Sequence, residues 1–416
     1  MTIEGIGELI LTYRQRENLS LSELAERTGI NKTSLSRIET GETKQPSFDL
    51  WKKVAHTLHI PYSEVIGIYL DATERPTTIK LLLEESIILN HPTLMQKAAG
   101  KLLETPKIDA YLALDYLLQV TKEIPDRYAK LMLYQVLIDY TRKNGVPYYL
   151  GKCIYERYIL ERDDFTHFED TYRRGKELSP YIEFLQPTER VDYYYRMGVH
   201  AYILEHYGES IEFCGKGIRE DQSDNKQRAS ALISIVNSYL RLGDLIMAGI
   251  FLDMYEESKY ADFRKKHLRA LLLTKKGQHD EAIALYKECL QEAGQEGRIT
   301  VVSDLLEACL EVQRNDEIRT LIDSESELLS QDILMHPYRI KQAARYYKRK
   351  GICLLAIGEI QKGLDSLLAS ITYYRQIGDL ERMIECVGLF LKENHAKSKN
   401  DYYENIEKIG NICYSR

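Results

Sequence analysis

No C-x-x-C pair occurs among the seven cysteines of this 416-residue chain, which stand at 153, 214, 289, 309, 353, 386 and 413. An odd number spread in that way excludes a disulfide framework and reads as reduced, buried thiols of a cytosolic protein. No apolar run reaches the roughly 20 residues that a membrane-spanning helix needs, and nothing at the start resembles a signal peptide. The expected location is the cytoplasm, with no membrane partner. Catalytic signatures are missing too: there is no H-E-x-x-H, no G-x-x-x-x-G-K-[ST], no G-x-S-x-G and no G-x-G-x-x-G after a strand. The ten histidines are dispersed, and His56 and His59, three apart on a helix, lack cysteine or carboxylate partners. Neither a metal nor a cofactor is therefore expected. An enzyme is not expected either, although phosphatase-like action on a partner protein needs no such motif and stays open. A net charge of −7 excludes a globally basic nucleic-acid binder. With only 24 glycines and 10 prolines, few breakers remain, and the chain should be almost entirely helical.

What is present begins with the stretch 20–39, SLSELAERTGINKTSLSRIE. Ser20 with Glu23 is a capping box that opens one short helix. Gly29 suits a turn requiring positive φ, and Asn31 can cap a second helix over 32–39. Leu24, Ile30, Leu35 and Ile38 face inward, leaving Lys32, Thr33, Ser34, Ser36 and Arg37 outside. That pattern is a helix-turn-helix with a polar face on its second helix. Helices over 6–17, 48–58 (capped by Ser47) and 62–70 complete a compact domain, with Val54, Ala55, Leu58, Val65 and Ile66 in its core. Residues 1–71 carry eight Lys/Arg against ten Asp/Glu, so one copy should hold DNA weakly and a dimer should engage two half-sites.

The polar segment 72–78, DATERPTT without its first residue, reads as a hinge because it contains Pro76. From residue 79 to 416 helical segments continue, many of them paired. A turn residue recurs five positions before a small or aliphatic one, as in Gly243 with Ala248, Gly277 with Ala282 and Gly358 with Gly363, and less clearly at Ser210 and Ile318. The steps between the second positions are 38, 34, 36 and 45 residues, near the period of tetratricopeptide helix pairs. Gly198, Ala270 and Gly351 sit where the first helix of a pair must approach the second, and Tyr239 and Tyr286 fill the seam. The expectation is all-α: a helix-turn-helix domain over 1–71, then a right-handed tetratricopeptide-like α-solenoid over 79–416 with a concave inner face.

First helices of each pair line that face. Its register places Asp192, Tyr195 and Tyr202 inward, then Ser230, Asn237 and Arg241, then Arg264, His267 and Lys275. Glu307, Glu311, Arg345 and Lys348 follow, with Arg127 a further candidate near the start of its helix. Tyrosines, an amide and several cations suit an extended peptide. Asn237 can both donate to and accept from a peptide bond, and arginines can clamp a carboxylate in bidentate fashion. The alternative for each residue alone is a solvated inner surface.

Residues 6–70, down to the segment ETGETKQPSF, resemble the Xre or phage-repressor class of helix-turn-helix domains. The resemblance implies groove contacts from Lys32, Thr33, Ser34, Ser36 and Arg37, phosphate contacts from Thr43 and Lys44, and an internal Arg14–Glu39 ion pair. Such a head before a long tetratricopeptide array resembles the peptide-pheromone receptors of Gram-positive bacteria (Rap, Rgg, NprR, PlcR and PrgX types). The segments YERYILERDDF and GVHAYILEHYGESIEFC look nearest to the neutral protease regulator type. That family implies a quorum-sensing transcriptional regulator that binds operator DNA and a short signalling oligopeptide. It also implies a homodimer, with a peptide-bound tetramer open to the type. The other reading is a protein-interaction regulator that sequesters or dephosphorylates a response regulator of the sporulation phosphorelay, with the peptide as release signal.

Overall fold

The computed structural model describes residues 5–43, 46–164, 167–325, 337–394 and 406–412, and every regular element among them is helical. The chain forms two compact units, Met1–Gln186 and Pro187–Arg416.

The first unit opens with α1 (Ile6–Arg16), α2 (Leu21–Thr28), α3 (Lys32–Glu39), α4 (Phe48–Thr57) and α5 (Tyr62–Ala72). Local chemistry sets each boundary. Ser20 and Glu23 form the capping box of α2, and Gly29 ends that helix at φ 69°. The Asn31 side chain accepts from the Thr33 amide, and Ser47 from the Leu50 amide. Leu9, Leu24, Leu35, Trp51, Val54 and Val65 are fully buried, and the Trp51 indole N–H donates to the Val65 carbonyl at 3.1 Å. Arg14 reaches both oxygens of Glu39, Nε at 2.7 Å and a terminal nitrogen at 2.8 Å, which locks α1 against α3.

The segment expected as a hinge is mostly helix. Only 73–75 lie between α5 and α6 (Pro76–Ile88), because Pro76 takes the first position of α6, where its missing N–H leaves nothing unpaired. Thr73 is buried, and side chains tie the head to α6 and α7 (Pro92–Glu104): Lys97 to Asp71 at 2.7 Å, and Lys52 to Glu85. Helices α8 (Ala110–Glu123), α9 (Arg127–Asn144), α10 (Pro147–Glu161) and α11 (Phe168–Lys176) and a 3-10 turn, Ser179–Phe184, finish this unit.

The second unit is a run of helix pairs: α12 (Pro187–Ile203) with α13 (Tyr207–Glu220), α14 (Lys226–Leu242) with α15 (Leu245–Glu256), and α16 (Arg264–Lys275) with α17 (His279–Glu292). Then come α18 (Gln295–Glu311) with α19 (Asn315–Asp323), and α20 (Pro337–Ala356) with α21 (Ile360–Gln376). α22 (Leu380–Asn394) and a helical piece over 406–412 close the run; the remainder of the helix expected over 402–414, Cys413 included, lies outside the described residues. The other six cysteines are buried and unpaired with one another.

Pairs close where small residues allow it. A Cβ at Gly198 would meet the Cys214 backbone nitrogen at 2.9 Å, and Gly351 and Gly363 each face the other's carbonyl at 3.1 Å. Tyr286 is fully buried, and Tyr239 stacks on Phe251 with centroids 5.7 Å apart. One link spans far more sequence. Glu205, in the α12–α13 turn at φ 65°, accepts from Lys341 on α20 at 2.6 Å and from Arg382 on α22. Arg382 also holds Asp379 at 2.6 Å. An ionic clasp thus joins the first helix pair of this unit to its last helices.

The close approach at Gly198 has a measurable cost. Gly198→Ala should destabilise the protein by about 1–3 kcal/mol through overpacking, whereas Gly208→Ala, with nothing within 4 Å of its added carbon, should not. Thermal unfolding of both variants checks this; equal melting temperatures would contradict the packing described.

Candidate functional site

In the first unit, the turn at Gly29 and the Asn31 cap present the start of α3 to solvent. Lys32, Thr33, Ser34 and Arg37 are exposed and Ser36 half-buried, while Leu35 and Ile38 anchor the opposite face in the core. Arg37 lies 3.7 Å from Glu42, a loose surface pair that a phosphate or base edge can displace. The Thr43 amide donates to the Arg37 carbonyl at 2.8 Å, so the loop after α3 is held against the end of that helix. Lys44 lies outside the described residues.

In the second unit, the inner helices α14, α16, α18 and α20 enclose a cavity of about 730 Å³. Its wall includes Tyr202, Asn237, Arg241, Arg264, His267, Lys275 and Arg345, all expected from the register, together with Phe263, Asp304, Tyr338 and Arg349. A second lobe of about 370 Å³ adds Glu311, Lys348 and Arg382, and shares Arg241, Glu307, Arg345 and Arg349 with the first. Both volumes lie in the range of pockets that enclose small ligands.

The wall's charges are largely committed to one another. Asp304, only 4% exposed, meets the His267 Nε2 at 2.8 Å and Arg349 from the other side. Arg349 also reaches Glu307 and donates to the Ser303 hydroxyl at 3.0 Å. Burial on its own would raise the Asp304 carboxyl, but Arg349 and the His267 hydrogen bond outweigh it and hold that group far below the usual carboxylate range. Arg264 pairs with Asp262 at 2.9 Å, and Lys348 with Glu385 at 2.6 Å.

Several expected residues take other places. Tyr195 is buried between helices, its hydroxyl donating to Asp221 at 3.2 Å, and does not reach the cavity. Ser230 is half-buried outside the lining, its carbonyl accepting from Ser234. Asp192 accepts from Arg196 and Gln227, both at 2.6 Å, away from the cavity wall. Arg127 belongs to the first unit, where its guanidinium donates to the Leu160 carbonyl at 3.0 Å and closes the end of α10. Asn237 does line the cavity, but one of its two amide N–H groups donates to the Ile233 carbonyl at 3.0 Å, which leaves its oxygen and one N–H to offer. The sequence reading missed Arg349 and Asp304. Arg349 stands one turn after Arg345 and Asp304 three residues before Glu307, so the same helical spacing contained both.

Comparison with known proteins agrees with this architecture. A helix-turn-helix family model matches residues 10–65, and a tetratricopeptide-repeat model matches residues 266–295, which hold most of α16 and all of α17. The HTH-type transcriptional regulator SlrR of Bacillus subtilis (strain 168) is 40% identical over 60 residues, 14% of this chain and 40% of that protein. The chain thus spans less than half the length of that relative. A tetratricopeptide repeat protein from Parabacteroides merdae covers 67% of this chain and 98% of its own at 13% identity and a TM-score of 0.50, a likeness of fold. Bacillus thuringiensis PlcR, solved with the peptide PapR7 and DNA, covers 93% of this chain and 99% of its own at 15% identity and a TM-score of only 0.28. The described residues contain no helix long and apolar enough to cross a membrane.

The Asp304 cluster makes a sharp prediction. Asp304→Asn removes the buried carboxylate that Arg349 and His267 share, leaving Arg349 with Glu307, and should cost about 3–5 kcal/mol. The stabilisation from a depressed carboxyl is complete above the unfolded pKa of about 3.9 and is lost as pH falls below it toward the folded value. Unfolding measured from pH 6 downward should therefore show a steeper loss below about pH 4 in the parent than in Asp304→Asn.

Proposed function

We propose that this protein is a cytosolic transcriptional regulator that reads an operator through α3 and is switched by a short signalling oligopeptide held in the cavity of its repeat unit. The observation that carries the reading is a cavity walled by tyrosines, an amide and several cations among the inner helices of a repeat array, in a chain whose other unit presents an uncovered helix-turn-helix face. Lys32, Thr33, Ser34, Ser36 and Arg37 meet base edges or groove walls, with Thr43 and Lys44 on phosphates. The head's excess of acidic residues weakens a single copy, so a homodimer spans half-sites about 34–36 Å apart or a multiple of that. A peptide-bound tetramer is compatible with the same scheme.

Peptide binding shifts the population of array conformations, and operator affinity follows. A tenfold change needs only about 1.4 kcal/mol of coupling. The acidic balance of the head also favours a second reading, in which the array sequesters a response regulator of the sporulation phosphorelay and peptide releases it.

Fluorescence anisotropy with DNA from the protein's own upstream region, with and without peptides from a small secreted reading frame just downstream, tests both. Lys32→Ala with Arg37→Ala should lower operator affinity about tenfold or more while leaving partner binding intact. Asn237→Ala should remove the peptide response without unfolding the protein. DNA binding unchanged by the paired substitution would defeat the operator reading and leave the partner reading in place.

A further inference from the structure

Charge around the cavity does not balance. Three of its carboxylates are paired with other groups, Asp262 with Arg264, Asp304 with His267 and Arg349, and Glu307 with Arg349, and Glu311 in the smaller lobe adds a fourth against the eight Arg and Lys side chains of the two walls. Arg241 and Arg345 line both lobes, and among the described residues neither makes an ion pair or side-chain hydrogen bond. Arg345 is half-buried and Arg241 more open to solvent. Burial pushes the Arg345 guanidinium down, and the like charge of Arg241 adds to that. Asp304 offsets part of this through space, but a desolvated cation beside another, with no carboxylate in hydrogen-bond contact, weakens the protein. Such a pair fits an anion that arrives with a ligand.

We propose that the cavity's occupant must carry a carboxylate, seated by Arg241 and Arg345 at the waist between the two lobes. This rests on the peptide reading above and narrows it to one chemical class. Guanidinium forks match a planar carboxylate through paired N–H donors. The neighbouring rings of Tyr202 and Tyr338 line the larger lobe, supplying apolar walls for the rest of the ligand. Two sources of carboxylate are distinguishable by position. A C-terminal carboxylate at the waist ends the peptide there and fills one lobe. An Asp or Glu side chain at the waist lets the main chain continue into the second.

Three N-acetylated heptapeptide libraries, incubated with the full chain and read by mass spectrometry after size exclusion, separate the possibilities. One has only uncharged residues and a C-terminal amide, the second the same residues with a free carboxylate, and the third an amide with one Asp or Glu. Retention from the second, the third or both, reduced about tenfold or more in Arg345→Gln and in Arg241→Gln, is the expected result; which library is retained identifies the source. Equal retention of the uncharged amides overturns the carboxylate requirement and leaves peptide binding standing. Retention that neither substitution reduces overturns the seat. Retention from no library overturns this proposal and the peptide reading together. Melting of the empty protein gives an independent measure: Arg345→Met should raise the melting temperature by roughly 2 °C or more, and a fall would show that Arg345 serves the fold instead.

Discussion

Asp304 fastens three inner helices at one point. It stands on α18, takes the His267 imidazole from α16 and meets Arg349 from α20. A carboxylate so buried is tolerated only when its partners are fixed around it, so the three helices cannot slide independently. The cavity wall is built on that constraint. Because Arg349 is occupied by Asp304 and Glu307, the neighbouring Arg345 is left facing the open space.

Apolar packing works toward the same end by a different route. Each helix pair exposes an apolar stripe that only the next pair covers, and stacking therefore generates an array with a hollow side. The approach within a pair depends on Gly198 against Cys214 and on Gly351 against Gly363, where a larger residue would push the helices apart. Behind them, Ala270, Tyr286, Val302 and Leu305 form one continuous apolar cluster. The clasp from Glu205 to Lys341 and Arg382 then limits how far the turn of the array can open. Rigid walls with a small number of polar groups left over are what a selective binding pocket requires.

The head follows another logic. Its α3 is held from behind by Leu35 and Ile38 and from the side by Arg14 on Glu39, which leaves the outward residues free of packing. Polar side chains freed from packing in that way are available for a groove. The docking of α5 against α6 and α7, through Asp71 and Lys97, makes the head part of a larger body.

By itself the sequence determined whatever is written within a few residues: the Ser20–Glu23 capping box, the left-handed Gly29, the Asn31 cap, and the glycines that let paired helices touch. Such signals depend on backbone sterics and short hydrogen bonds, so neighbours in the chain suffice to specify them. Helical spacing also placed Asn237, Arg241, His267 and Arg345 on the inner face. Tertiary structure decided which inward residues remain open. Tyr195 is consumed by Asp221, His267 by Asp304 and Arg127 by the Leu160 carbonyl, while a segment punctuated by Pro76 became the start of a helix. These outcomes join residues distant in sequence, 37 apart for His267 and Asp304 and 177 apart for Glu205 and Arg382. The stacking of helix pairs within the second unit brings such partners together, and no local pattern carries that stacking.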